Sequence, residues 1–110
     1  MKTSAARTRR SAGLFAALGD ETRLRLVHRL AEGSALSISL LTEGLPVTRQ
    51  AVTKHLRVMK RAGLVRQKRC GRESLWQLEQ TRLAEARRYL ALISQQWDEA
   101  LARLQRFVEN

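Results

Sequence analysis

Residues 46–65 read PVTRQAVTKHLRVMKRAGLV. The stretch carries Arg49, Lys54, Arg57, Lys60 and Arg61 and no carboxylate. From Gly44 to Arg72 the chain adds Arg66, Lys68, Arg69 and Arg72, and still no Asp or Glu. Thr48 is a good helix N-cap and Gly63 a natural stop, which predicts a helix from Thr48 to about Ala62. At about 100° per residue, Val52, Leu56, Met59 and Gly63 fall in one narrow sector of that helix. Gln50, Thr53, Lys54, Arg57 and Arg61 fall on the opposite side. One stripe can dock the helix on a protein body while the other offers long cations, an amide and a hydroxyl. A merely solvated helix would gain as much from mixed signs and their i,i+4 pairs. Purely cationic faces suit DNA instead. The major groove admits an α-helix, amide and guanidinium groups read its base edges, and neighbouring cations meet phosphates.

The flanks extend this reading. SISLLTEG predicts a short helix capped by Ser37 and closed by Gly44, and LPVT is the turn that follows. Short helix, turn and cationic helix make a helix-turn-helix. Further upstream, DETRLRLVHRLAEG starts with Asp20 as N-cap and Glu21 in the first turn. Leu24, Val27 and Ala31 share a face there, with Leu26 and Leu30 beside it, while Arg23, Arg25 and Arg29 point elsewhere. His28 falls on the apolar side and is expected as a packed, hydrogen-bonded core residue. Downstream, LVRQKR and SLWQLE flank CGRE and read as a β-hairpin. Lys68, Arg69 and Arg72 surround its tip, where a wing would touch phosphates or the minor groove. Trp76 shares a strand face with Leu78 and is expected to pack.

At the ends, residues 1–11 are polar and basic and read as a flexible tail, leaving 12–110 as a single domain. SAGLFAALGD places Leu14, Phe15 and Leu18 at helical spacing. The segment 81–108 contains neither Gly nor Pro. In it Leu83, Ala86, Leu90, Ile93, Trp97, Ala100, Leu104 and Phe107 recur in steps of three and four, an a/d seam. A helix this long exceeds what a small domain can cover, so its seam asks for a partner. The expected dimer interface is Leu14, Phe15 and Leu18 with Leu90, Ile93, Trp97, Leu101 and Leu104. The fold class is therefore mainly α with a small β-hairpin: a winged helix-turn-helix with a long C-terminal dimerisation helix.

The bulk numbers agree. The chain has 110 residues, a net charge of +11 and a pI near 11.5, a field that attracts nucleic acid or anionic membrane. No apolar run approaches the roughly 20 residues that span a bilayer, and the start lacks the apolar core of a secretory signal. The single Cys70 excludes an internal disulfide and fits a reducing, cytoplasmic setting.

Three segments, FAALGDETRLRLVHRLAEG, SISLLTEGLPVTRQAVTKHLRVMKRAGLV and RCGRESLWQLE, together resemble the ArsR/SmtB-type winged-helix repressors of bacteria. The likeness runs from about residue 12 to the C-terminus and is most specific in TRQAVTKHLRVMKRAGLV and the wing. It implies a homodimeric repressor on a palindromic operator, with a dimer interface built from the first and last helices. The expected DNA contacts are Thr48, Arg49, Gln50, Thr53, Lys54, His55, Arg57, Arg61, Lys68, Arg69 and Arg72. His55 sits at the border of the docking stripe, where it would brace the helix or touch a phosphate.

Relatives of that kind often hold metals through cysteines before the recognition helix, or through Asp and His on the last helix. Here ALSISLLTEG has no Cys or His and the last helix has no His. Asp98, Glu99 and Glu109 alone make a poor transition-metal site. No metal and no cofactor is expected. Cys70, among Arg69, Arg72 and Lys68, sits where a thiol could be activated for redox sensing. A small-molecule or redox effector is otherwise unidentified. No catalytic constellation is present, so an enzyme is not expected. Two function classes stand: a sequence-specific repressor, and an architectural, sequence-tolerant DNA-binding protein. Gln50 and Thr53 favour the first, because compaction needs only cations.

Overall fold

The computed structural model describes residues 4–109. Its elements are α1 (Ala5–Leu18), α2 (Glu21–Leu30), β1 (Leu36–Ser37), α3 (Ile38–Thr42), α4 (Arg49–Arg61), β2 (Val65–Cys70), β3 (Glu73–Leu78) and α5 (Gln80–Glu109). The sheet is antiparallel with order β1-β3-β2. Val65 pairs with Leu78 and Cys70 with Glu73, so β2 and β3 form the expected wing. β1 was not expected. It is two residues long, too short for alternation to show, and it pairs Leu36 with Trp76 along the free edge of β3.

α1 begins at Ala5, inside the stretch expected as a flexible tail. Ser4 caps it, its hydroxyl accepting from the Arg7 N–H at 3.1 Å. Ser11, Leu14 and Ala17 form its buried stripe. Two of those residues are small and one is polar, so the stripe carries little hydrophobic signal. Leu14 was expected at a dimer interface, but it is fully buried in its own chain's core. Phe15 and Leu18 remain half-buried beside it, Phe15 meeting Tyr89 of α5 with ring centroids 6.1 Å apart.

On α2 the buried face is Leu26 and Leu30. Leu24 and His28 lie about 200° round the helix from Leu26 and are exposed, so His28 is not a core residue. The rest of the core comes from Leu41, Val52, Leu56, Met59, Leu64, Val65, Trp76, Leu78 and Ala86. The core thus sits between α1–α4 and the sheet, and only the start of α5 joins it.

α5 leaves the body. Thirty residues make a rod of about 45 Å. Ala86 is its buried residue, whereas Leu90, Ile93, Trp97, Leu101, Leu104 and Phe107 are exposed. The radius of gyration is 18.2 Å, where a compact domain of about 100 residues has about 13 Å.

The end of α4 is pinned by α5. Gly63 has φ +78°, and a Cβ there would lie 2.9 Å from Arg82 Nε. Arg82 in turn donates from Nη2 and Nε to the Ala62 carbonyl at 3.0 and 3.3 Å. Gly63→Ala should therefore destabilise the protein by about 1–3 kcal/mol, through left-handed strain and displacement of Arg82. Denaturant unfolding at fixed protein concentration measures it, and an unchanged midpoint would refute the pinning.

Candidate nucleic-acid interface

α4 is set by its two stripes. Val52, Leu56 and Met59 are fully buried, and Thr48 caps the start, its Oγ1 accepting from the Ala51 N–H at 3.1 Å. With that face docked, Arg49, Gln50, Lys54, Arg57 and Arg61 are exposed on the other. Lys68, Arg69 and Arg72 are exposed on the wing. Among the described residues, none of these seven cations forms an ion pair with a carboxylate. The ion pairs among the described residues lie elsewhere, on Arg10, Arg25, Arg66 and Arg82. Helix and wing are tied to one another. Lys60 Nζ donates to Gln67 Oε1 at 3.2 Å, and Gln67 Nε2 donates to Ser74 Oγ at 3.1 Å.

The hydroxyls carry different duties. Thr48 accepts as a cap, which leaves its O–H free to donate outward. Thr53 Oγ1 donates to the Arg49 carbonyl at 2.9 Å, so it keeps only lone pairs and a methyl for an outside partner. A methyl suits contact with thymine, and a lone pair suits an amino group of a base.

His55, expected among the DNA contacts, faces inward. Its Nδ1 is 3.2 Å from Arg23 Nη1 and 3.8 Å from Asp20 Oδ2. A guanidinium can only donate, so neutral His55 accepts at Nδ1 and carries its proton on Nε2. Arg23 also donates from Nε to the Ala17 carbonyl at 2.6 Å. Asp20 accepts from the Arg23 N–H at 3.0 Å. One cluster thus joins the end of α1, the start of α2 and the middle of α4. Arg23 is expected only to point away from the apolar face of α2, and nothing local marks this role, because its partners lie 6 and 32 residues away. The Arg23 backbone N–H, aided by the Arg23 charge, holds the Asp20 carboxyl below its ordinary value of 3.8, against opposing partial desolvation. A lowered pKa means that the stabilisation is present above pH 3.8 and lost as pH falls through the folded value.

Cys70 is exposed at the end of β2. Among the described residues no group of three or more His, Cys, Asp or Glu side chains comes together as a metal site. Nor, among them, is any helix long and apolar enough to cross a membrane.

A family described as a helix-turn-helix domain matches residues 18–68, from the end of α1 into the wing. An ArsR-like transcriptional regulator from Rhodococcus sp. RHA1 is similar in structure over nearly the whole length, with a TM-score of 0.82 and 35% identity. The match covers 94% of this chain and 96% of that one. The chain belongs to the ArsR-type transcriptional regulators. The HTH-type transcriptional regulator Rv2034 of Mycobacterium tuberculosis is 45% identical over 71 residues, 64% of this chain and 65% of that protein. The chain thus matches just under two thirds of that relative's length. A homodimeric winged helix-turn-helix DNA-binding domain from Mycobacterium bovis shares the fold at 22% identity, with a TM-score of 0.65. That match covers 90% of this chain and 88% of that one. The ArsR-type family is one of DNA-binding regulators and not of enzymes.

The Arg23 cluster is the internal support of this regulator's recognition helix. Arg23→Met should cost about 1–3 kcal/mol, because it leaves the Ala17 carbonyl and His55 Nδ1 without their donor. Arg23→Lys should recover less than half of the loss, since one ammonium cannot reproduce the fork. Equal stability of all three proteins in urea would remove the cluster from this role.

Proposed function

We propose that this regulator is a homodimeric repressor that reads a two-fold symmetric DNA site. α4 lies in the major groove, and the wing lies on the flanking backbone. The observation that carries this is the set of exposed cations on α4 and the wing, free of carboxylate partners among the described residues, with helix and wing linked through Lys60 and Gln67. Gln50, Thr53 and Lys54, in the first turns of α4, set sequence preference. Thr48, Arg49, Arg57, Arg61, Lys68, Arg69 and Arg72 supply affinity through phosphates. His55 acts from behind, through Asp20 and Arg23. Repression needs no bound transition metal in this reading, since the helix before α4 and the last helix offer neither thiolate nor imidazole.

The dimer reading draws on α5. Its exposed seam is long and apolar, and Phe15 and Leu18 lie half-buried near its root. A second copy is the occupant that supplies an equal and complementary seam. Two recognition helices then present themselves to half-sites one or more helical turns apart, about 34 Å per turn.

The test is a titration of promoter DNA upstream of the protein's own coding sequence against random duplex of equal length. Strong preference for the promoter supports the repressor. Equal affinity would favour an architectural protein, which the +11 charge alone could serve. Within the promoter complex, Gln50→Ala should lower discrimination by roughly 1–3 kcal/mol at one base pair. Arg72→Ala should instead weaken all sequences alike and flatten the salt dependence. The same pattern from both variants would refute the division of roles.

Trp97 is 65% exposed in the single chain, so any burial it achieves comes from a partner. Trp97→Ala should cost the dimer roughly 3–5 kcal/mol if the ring is covered there. Sedimentation should show a shift toward monomer, and the melting temperature should fall in a concentration-dependent way. Operator affinity should drop with it, because linked half-sites bind as a unit. An unchanged dimer would place the interface elsewhere.

A further inference from the structure

Two contiguous hollows lie between the first half of α1 and the middle of α5. One, of about 390 Å³, is lined by Ser4, Arg7, Arg10, Ser11, Glu85 and Arg88. The other, of about 350 Å³, shares Arg7 and Arg88 and continues to Ala91, Leu92, Gln95, Gln96 and Glu99. Each falls within the size range of small-ligand sites, roughly 300–1,000 Å³.

Their chemistry is uneven along the cleft. Arg7 and Arg88 line both hollows, and among the described residues neither has a carboxylate partner. Arg10 reaches Glu85 at 3.1 Å, yet its side chain stays 65% exposed. Ser11 is only 4% exposed and is the buried polar side chain of the described residues. Its hydroxyl belongs to the lining of the hollow. Guanidinium groups pair with carboxylates through two parallel hydrogen bonds, and a hydroxyl can add a third. Further along, Ala91 and Leu92 offer an apolar wall, and beyond them the Glu99 carboxylate accepts from Gln95 Nε2 at 3.5 Å.

A relay leads out of the same cleft. Glu85 holds Arg10 through Oε1, and it accepts from Arg82 through Oε2 at 2.6 Å. Arg82 donates its other nitrogens to the Ala62 carbonyl, the last turn of the recognition helix.

We propose that the α1–α5 cleft binds a small organic carboxylate with an apolar body, and that binding loosens the recognition helix. The ligand's carboxylate competes with Glu85 for Arg10. Glu85 then keeps Arg82 alone and draws it away from Ala62, so the end of α4 loses its clamp. Operator affinity falls. The regulatory half rests on α4 reading DNA, whereas the binding half does not.

Calorimetry on the full chain with acetate, butyrate, benzoate, benzylamine and inorganic phosphate tests the binding half. Benzoate is expected to saturate at one per chain, with acetate and phosphate much weaker and benzylamine not bound. Arg88→Met and Ser11→Ala, on residues outside the DNA-reading face, should each weaken benzoate at least about tenfold while leaving ligand-free operator affinity unchanged. Saturating benzoate should weaken operator binding by about tenfold, inside the usual 5- to 150-fold range of allosteric coupling. Several results would overturn the site: no carboxylate binding, phosphate binding as well as benzoate, or equal benzoate binding by wild type and both variants. A shift of Arg88→Met toward monomer with benzoate affinity unchanged would also do so, by giving the cleft to the second copy. Benzoate binding with no change in operator affinity would overturn the relay. If ligand-free protein binds no operator at all, the DNA reading fails by itself, since the calorimetry contains no DNA.

Discussion

Burial of Val52, Leu56 and Met59 fixes where every cation of α4 points. Those three side chains are wholly out of water, and each is worth roughly 1.5–3 kcal/mol of apolar transfer. Rolling the helix by one residue would expose one of them and bury Lys or Arg in its place, at a cost no surface ion pair returns. The cationic face is therefore not free to choose its direction. Everything else around α4 refines this constraint. Arg23 and His55 brace the middle, Arg82 holds the final carbonyl, and Lys60 couples the helix to the wing.

Such a helix was readable because its information is local. Caps at Thr48 and Ser37, the stops at Gly44 and Gly63, and a 3.6-residue apolar period all act within a turn or two. The wing was readable for the same reason, as two short strand-like segments around a glycine-containing turn, although the strands reach to Cys70 and Glu73 and leave only Gly71 and Arg72 between them. What escaped the sequence was set at long range or by small side chains. The start of α1 is packed through Ser11 and Ala17, which look like surface residues. β1 exists only because Trp76 stands opposite Leu36. Leu14 was placed at an interface although its own core had room for it. His28 was placed in the core because α2 carries enough leucines for two faces, and burial chose the face of Leu26 and Leu30. His55 was visible as a border residue, but its partners on α2 were not.

The two ends of α5 obey different rules. Its first turns are ordinary domain structure, held by Ala86, by Phe15 against Tyr89, and by the Arg10–Glu85–Arg82 links. From Leu90 onward the large apolar residues of the seam are exposed. In the proposed dimer, a rod that is stitched to the recognition helix at its root and exposed along its length would join association to DNA geometry. The stitching is polar and thin, which makes it adjustable in a way that a packed core is not.

Length gives that rod a mechanical meaning. In a symmetric pair, the angle at which the two α5 rods cross sets the separation of the two α4 helices. Over about 45 Å, a tilt of only 5° displaces the far end by about 4 Å, more than one base-pair step. In such a pair, residues on the seam would act as the gauge of a calliper whose jaws are the recognition helices. A change of side-chain volume at Ile93 or Trp97 could mis-space the jaws while leaving each of them chemically whole.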